Sequence, residues 1–513
     1  MPSPPQPPVG GLDLSSGEIF FDFSDFIFFG RRVSQRFSGH DTSGGSEGAA
    51  REAQGRMRMR TKASIPAALL ILAVALWSLA PAHGEQVPRG GTARRYDPAR
   101  EPLRRLSFGS CNDQRKDQSI WGPIVEGKPD VWLWLGDNIY ADRKVKSYPK
   151  EFRGATVAQM RAMYDQLSAV PGYRALLGGV GKVVATWDDH DYGLDDSGKE
   201  LPYKRESQGL LLDFLGVPED SELRRREGVY NSHTFGPKGK RVKLIVLDTR
   251  YHRDPIFSDG DMLGEEQWRW LGEELTSGDA QVTLIASSIQ VLPNHHVTLC
   301  PICDIEDSPF RVETWAHFPR EKRRLADLIR DRRAEGVILL SGDVHLGEVL
   351  RSPAGCLAPY PINEITSSGM THSASASFPG IALEVLKRFS PNPFSLGMHL
   401  DVNYGTVDFD WDGPSPVVTL SVRDREGRAA LQRRVSIADL KFPEEGAQVD
   451  PQGDCTEEAQ LPWWHRCRFC IILFSGFVLA ALVASWALAW VLAGLKRVAF
   501  ASRGTERARK KRN

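Results

Sequence analysis

The stretch "VWLWLGDNIYAD", residues 131–142, runs apolar for five positions and then turns into an acid, an amide and a phenol. Val131–Leu135 has the length and composition of a strand buried on both faces, which is the signature of a parallel strand in an α/β sheet. Gly136 ends the run and leaves Asp137 at the carboxyl edge, where ligands bind in open α/β sheets. A single acid after a strand is ordinarily a turn residue or a helix cap. The stretch carries weight only if other strands end in the same way.

They do. "RRLSFGSC" ends at Cys111, "KVVATWDDHD" at Asp188–Asp191, and "GVILLSGDVH" at Asp343 and His345. "VKLIVLDTR" and "VTLIASSIQ" end in Asp248/Arg250 and Gln290. Amphipathic segments intervene: "EEQWRWLGEEL" aligns Trp268, Leu271 and Leu275, and "REKRRLADLIRDRR" aligns Leu325, Leu328 and Ile329. "TVDFDWD" and "PVVTLSV" read as antiparallel strands, so the expected class is α/β with α+β character. Carboxylates gathered at one edge without compensating Arg or Lys repel one another, and bound cations remove that cost. A two-metal site follows as the expectation.

The blocks "SFGSCNDQ", "PDVWLWLGDNIYAD", "ATWDDHDYG", "LDTRYHRD", "LLSGDVHLGEV" and "EITSSGMTHS", in this order, resemble the alkaline phosphatase D (PhoD-like) branch of the calcineurin-like metallophosphoesterases, from about Leu106 to Arg434. The resemblance implies a four-layer α-β-β-α sandwich and hydrolysis of phosphomonoesters or phosphodiesters. It implies that Asp137 bridges two ions and that Cys111, Tyr140 and His345 complete the ligands of one, expected to be Fe(III). Asp189 and Asp343 would hold the second, expected to be Ca(II), with Zn or Mn as alternatives. The chain departs from the pattern in "DYGLDD", where Asp195 stands in place of a usual Asn. Oxygen coordination survives that change, and the site gains negative charge.

Two ions side by side clamp an in-line displacement at phosphorus and activate a water. His190 is the candidate to hold phosphate or protonate the leaving oxygen, with orientation of Asp189 as its alternative. Asn138 is the candidate donor to phosphate, and Arg250, Gln290 and His372 are further pocket candidates. The competing reading is a catalytically inactive, membrane-tethered binding or scaffold protein on the same fold.

Of 513 residues, 41% are hydrophobic and 25% charged, which suits a globular chain. Lys+Arg and Asp+Glu are equal at 65 each, so no nucleic-acid-binding surface is expected. "AALLILAVALWSLA", Ala67–Ala80, follows Arg56, Arg58, Arg60 and Lys62, the layout of a signal peptide over 57–84. Residues 1–56 are expected to be a disordered leader or a gene-model extension. The metallophosphatase domain is expected over 100–435 and an acidic stalk over 436–468. Ile471–Leu495 is uncharged and long enough to span a bilayer. The basic tail 496–513 would then be cytosolic by the positive-inside bias. A single-pass type I protein of the endoplasmic reticulum, another secretory membrane or the cell surface is the resulting expectation. Lys510 and Lys511 resemble a dilysine address read by coat proteins, although a stop-transfer cluster gives the same lysines. "CPIC" (300–303) reads as disulfide partners for Cys356 or Cys455, or as a redox pair or half a zinc site. The natural substrate and oligomeric state have no sequence signature.

Overall fold

The computed structural model describes residues 96–146, 151–256, 258, 260–276, 279–293, 313–376, 392–444 and 468–510. The expected leader and signal peptide, Cys300, Cys303, Cys455 and Cys467, and most of the expected stalk lie outside the described residues.

Two mixed sheets form the frame. The six-stranded sheet runs in the order Ala429–Ser436, Val417–Asp424, Asn403–Asp410, Arg105–Gly109, Val131–Leu135, Lys182–Thr186. Its last three strands are mutually parallel and the others antiparallel. The seven-stranded sheet runs Ser395–His399, Gly347–Ser352, Ile362–Ser367, Val337–Ser341, Val282–Ala286, Val242–Val246, Asn231–Phe235. Its four central-to-right strands, from Ile362–Ser367 to Val242–Val246, are parallel. A separate two-stranded hairpin, Arg143–Lys146 with Glu151–Arg153, follows the opening stretch.

The alternation within "VWLWL" explains its composition. Val131, Leu133 and Leu135 join a core that also holds Leu244, Ile285 and Leu339 of the other sheet. Trp132 and Trp134 point the opposite way, into a second core under the helices Trp121–Glu126, Val157–Ala169, Pro171–Gly179 and Lys204–Phe214. There Trp121, Trp132 and Trp134 meet edge to face, with ring centroids 5.1–5.4 Å apart, each pair adding about 0.5–1.5 kcal/mol beyond area burial. Helices Glu265–Thr276 and Pro319–Asp331 bury Trp268, Leu271, Leu325 and Ile329 in the first core, on the faces the spacing assigns.

The packed domain continues past residue 435: Ile437 and Leu440 are buried in the first core and Phe442 packs on it. The chain just after 435 is thus part of the domain rather than stalk, because two apolar residues three apart on one turn find room there. Cys356 is disulfide-bonded, and Cys111 is free and buried. A helix spans Arg468–Lys510, and Phe474–Arg497 within it is long and apolar enough to cross a membrane.

Candidate metal centre

The candidate residues sit just past the carboxyl ends of parallel strands from both sheets, on loops and, for Asp189 and His190, on the short helix Asp189–Tyr192. Cys111 follows Arg105–Gly109, Asp137 follows Val131–Leu135, and Asp188–His190 follow Lys182–Thr186. From the second sheet, Asp343 and His345 follow Val337–Ser341. Close approach of these loops depends on glycine. Gly136 has φ +92°, and a Cβ there would lie 2.6 Å from Asp188 Cβ. A Cβ on Gly342 would overlap the Ser110 side chain, next to Cys111. Four of the candidate ligands take left-handed backbone themselves: Cys111 (φ 58°), Asp137 (50°), Asp343 (70°) and His345 (56°). Non-glycine residues in that region are uncommon, and such strain gathers at functional sites where the surrounding structure over-determines it.

Two donor sets meet at Asp137. Its Oδ2 accepts the Tyr140 hydroxyl at 2.8 Å and the Cys111 thiol at 3.4 Å. Tyr140 Oη lies 3.3 Å from His345 Nε2, and Cys111, Asp137 and His345 offer ligand atoms within 4.8 Å of one another. Ser368 fixes this side, with its Oγ 2.9 Å from Cys111 Sγ and accepting the His345 N–H at 2.8 Å. The other oxygen, Asp137 Oδ1, faces the His190 backbone N–H at 3.4 Å. Asp137 also forms an all-carboxylate group with Asp188, Asp189 and Asp343, with ligand atoms again within 4.8 Å of one another.

Burial raises the cost of these charges. The Cys111 thiol is pushed up to about 12, first by burial and then by Asp343. Burial and neighbouring anions hold Asp137 and Asp343 far above the ordinary carboxyl range, and bring Asp188 to about 7. Asp188 Oδ2 is buried and has no hydrogen-bond partner. An unsatisfied buried carboxylate oxygen among three other carboxylates fits a cation. The donors fit two different ones: thiol, phenol and imidazole suit a transition metal, and an all-oxygen set suits a hard ion.

Several expectations need correction. Asn138 does not offer its amide to a ligand: Nδ2 donates to Thr186 O at 2.9 Å and Asp191 Oδ2 at 2.5 Å. With backbone donation from Asp137 and Asn138 to Asp191, it ties the Asp137 loop to the Asp188 loop. Gln290 is fully buried and donates to Glu348 Oε2 and Thr366 Oγ1, so it serves the core rather than a pocket. Arg250 is also fully buried, beneath the site: Nε donates to Asp188 Oδ1 at 2.5 Å and Nη1 pairs with Glu313 Oε2 at 2.6 Å. A compensating arginine therefore exists, contrary to the reading of an uncompensated cluster, but it serves Asp188. Asp137 and Asp343 have no ion pair with Arg or Lys among the described residues, and Asp189 stands 4.0 Å from Arg250.

His372 lies in the site, its ring 4.8 Å from Tyr140 and 4.4 Å from His345. Burial and the charges of His345 and Lys116 push its pKa far down. The His190 ring lies 4.2 Å from that of Tyr140, tilted by 34°, and Nδ1 lies 2.6 Å from Asp142 Oδ1. Burial opposes its protonation, but Asp189, Asp137 and Asp142 outweigh that and raise its pKa well above the usual value. Asp195 Oδ1 is 3.9 Å from His190 Nε2, and Asp195 also groups with Asp189 and Asp196. Sequence reasoning missed Asp188 as a donor, Asp142 as the His190 partner and Ser368 beside Cys111. Asp142 closes the opening stretch itself, and the tandem Asp188–Asp189 was the available signal for the other acid.

Comparisons with known proteins bear on this arrangement. The family model described as PhoD-like phosphatase matches residues 213–381, a segment that contains Asp343 and His345. Alkaline phosphatase D of Bacillus subtilis (strain 168) is 23% identical over 286 residues, which is 48% of this chain and 46% of the relative. In these segments the chain is similar to PhoD-like phosphatases. It spans about half the length of this curated relative. Among solved structures, a PhoD structure is similar over 74% of this chain and 79% of its own, at 18% identity and a TM-score of 0.49. GAP50, described as the anchor in the inner membrane complex of Plasmodium, is similar over 72% and 95% respectively, at 10% identity and a TM-score of 0.40.

Proposed function

We propose that this PhoD-like chain is a metal-dependent phosphoric ester hydrolase acting on monoesters, diesters or both, built as a four-layer metallophosphoesterase sandwich and tethered to a membrane. One observation carries the reading: Asp137, with two carboxylate oxygens, belongs both to the group with Cys111 and His345 and to the all-carboxylate group with Asp188, Asp189 and Asp343. Cys111, Tyr140 and His345 would hold a transition-metal ion such as iron with one of those oxygens. Asp188, Asp189 and Asp343 would hold a hard cation such as calcium with the other. Such ions supply Lewis-acid polarisation of the phosphoryl group and a water that ionises near neutral pH.

The chain's own groups do the rest. Asp142 occupies Nδ1 of His190 and so fixes which nitrogen is left for other partners. Nε2 is therefore the atom that would hold a phosphoryl oxygen or pass a proton to the leaving oxygen. Tyr140 packs against that ring at a tilt and limits its rotation. The partly exposed Asp343, His345, His372 and Asp195 set the mouth through which a phosphoester would enter.

Support for the tether is the helix containing Phe474–Arg497. Lys496, Arg497, Arg503, Arg507 and Arg509 follow its apolar part. By the positive-inside bias that end is cytosolic, which puts the catalytic domain on the lumenal or outer side. The test is hydrolysis of p-nitrophenyl phosphate and bis-p-nitrophenyl phosphate by the full chain in detergent, before and after chelation. Turnover lost on chelation and restored by metal is expected. Absence of turnover on both esters after metal loading would overturn the proposal.

A further inference from the structure

The hairpin strands Arg143–Lys146 and Glu151–Arg153 stand at the rim of this site, and the chemistry described so far leaves them without a task. They are joined to it covalently, because Arg143 follows Asp142, the partner of His190. They also touch it: the Phe152 ring lies 5.6 Å from the His190 ring, tilted by 47°. Their charge is one-sided. Arg143, Lys144, Lys146 and Arg153 are exposed, against the single acid Glu151. None of these four cations has an ion-pair partner among the described residues. Some exposed arginines elsewhere are paired, as in Arg425–Asp117 and Arg104–Asp412, and others, such as Arg174 and Arg434, have no ion pair among the described residues.

The register sharpens the point. Arg143 is opposite Arg153, and like charges directly across a hairpin are destabilising. Isolated two-stranded hairpins are marginal in water, so this one carries a repulsion it can ill tolerate unless an anion offsets it. Lys144 is opposite Phe152, so the two side chains share a face, with Cβ atoms about 5 Å apart. Phe152 meets His190, and Lys144 is therefore the cation whose face is turned to the site.

We infer that the strands Arg143–Lys146 and Glu151–Arg153 read the leaving group, with Lys144 selecting phosphoesters whose leaving group carries a second negative charge. This rests on the hydrolase reading and goes beyond it by naming a substrate class. Carboxylate and phosphate groups share the required chemistry. Asp142 and Asp195, acids beside the same ring, face His190, and the hairpin adds cations at this rim to Lys116 and Arg115, whose charges reach His372.

The experiment compares two substrates on one scaffold, 3-phosphoglycerate and glycerol 3-phosphate, with the full chain in detergent. The wild type is expected to favour 3-phosphoglycerate in kcat/KM. The preference should weaken with added salt, because exposed charges are screened. Lys144→Glu should cut the ratio roughly fivefold or more, mainly through KM, and Arg153→Glu less. Arg153→Glu also replaces the like-charge pair with an attractive one, so it retains the hairpin if Lys144→Glu does not. Equal efficiency on both substrates in the wild type, or a ratio unmoved by either variant and by salt, would overturn the inference while leaving the hydrolase intact. Hydrolysis of neither ester, nor of p-nitrophenyl phosphate, would instead remove the parent reading.

Discussion

Two groups of buried acids lie side by side in this protein and are treated in opposite ways. Asp188 and Glu313 are matched by Arg250 and Arg253, four charges that sum to zero: Arg250 bonds Asp188 and Glu313, and Arg253 Nη1 is 3.1 Å from the other oxygen of Glu313. Asp137 and Asp343, one loop away, have no such partner among the described residues. The fold can thus bring arginine to a buried carboxylate, and does so where neutrality is structural. Where it does not, the charge is left for a cation that is not part of the chain. Asp188 belongs to both regimes, since one oxygen meets Arg250 and the other has no hydrogen-bond partner.

The sharpest break in this comparison is Asp137→Asn, which removes the carboxylate shared by the two donor sets. Turnover of p-nitrophenyl phosphate should fall by roughly a thousandfold or more, since both charge stabilisation and water activation depend on bound metal. The circular dichroism of the variant should remain that of the wild type. Arg250→Met strikes the balanced side instead. It leaves Asp188 and Glu313 buried without their partner, and should cost about 3–5 kcal/mol in denaturant unfolding, because a buried acid deprived of its counter-charge is expensive.

The next effect is a slope with pH in the chelated protein. Asp137, Asp188 and Asp343 have native pKa values above those of the unfolded chain, Asp188 at about 7. Between the two values the native state holds more protons, so stability is greatest at acid pH and falls as pH rises from about 4 through 7. Thermal melts of the chelated protein should show that fall, and metal should flatten it by taking the place of the protons. A chelated protein that gains stability from pH 5 to 7 would contradict the unbalanced side of the comparison. The smallest effect is expected from Asp142→Asn, which touches the site only through His190. Loss of about 10- to 100-fold in turnover, with an altered pH profile and unchanged metal content, is the expected result.

What could be read from the sequence followed a physical divide. Cys111, Asp137, Asp343 and His345 were legible because each follows a short, largely apolar run, and such a run fixes which end of a parallel strand meets solvent. Side-chain direction beyond the strand was not legible. In "TWDDHD" either aspartate could face the cluster, and only the turn after Thr186 shows that both do. Asn138 and Gln290 had the right position at a strand end but the wrong direction, which a two-residue period cannot supply once the strand has stopped. Arg250 required a partner, Glu313, that is 63 residues away in the chain. The two-sheet frame was expected and has a mixed α/β, sheet-rich form, yet the strand order depends on pairings as distant as Ser107 with Thr406.

Elemental analysis of the purified full chain, paired with the Asp137→Asn variant, probes the unbalanced acids most directly. Two metal ions per wild-type chain and a marked deficit in the folded variant are predicted. A folded wild type that takes up no metal under any loading condition, or a variant that binds as much as the wild type, would contradict the view that the charge on Asp137 and Asp343 is there to hold cations.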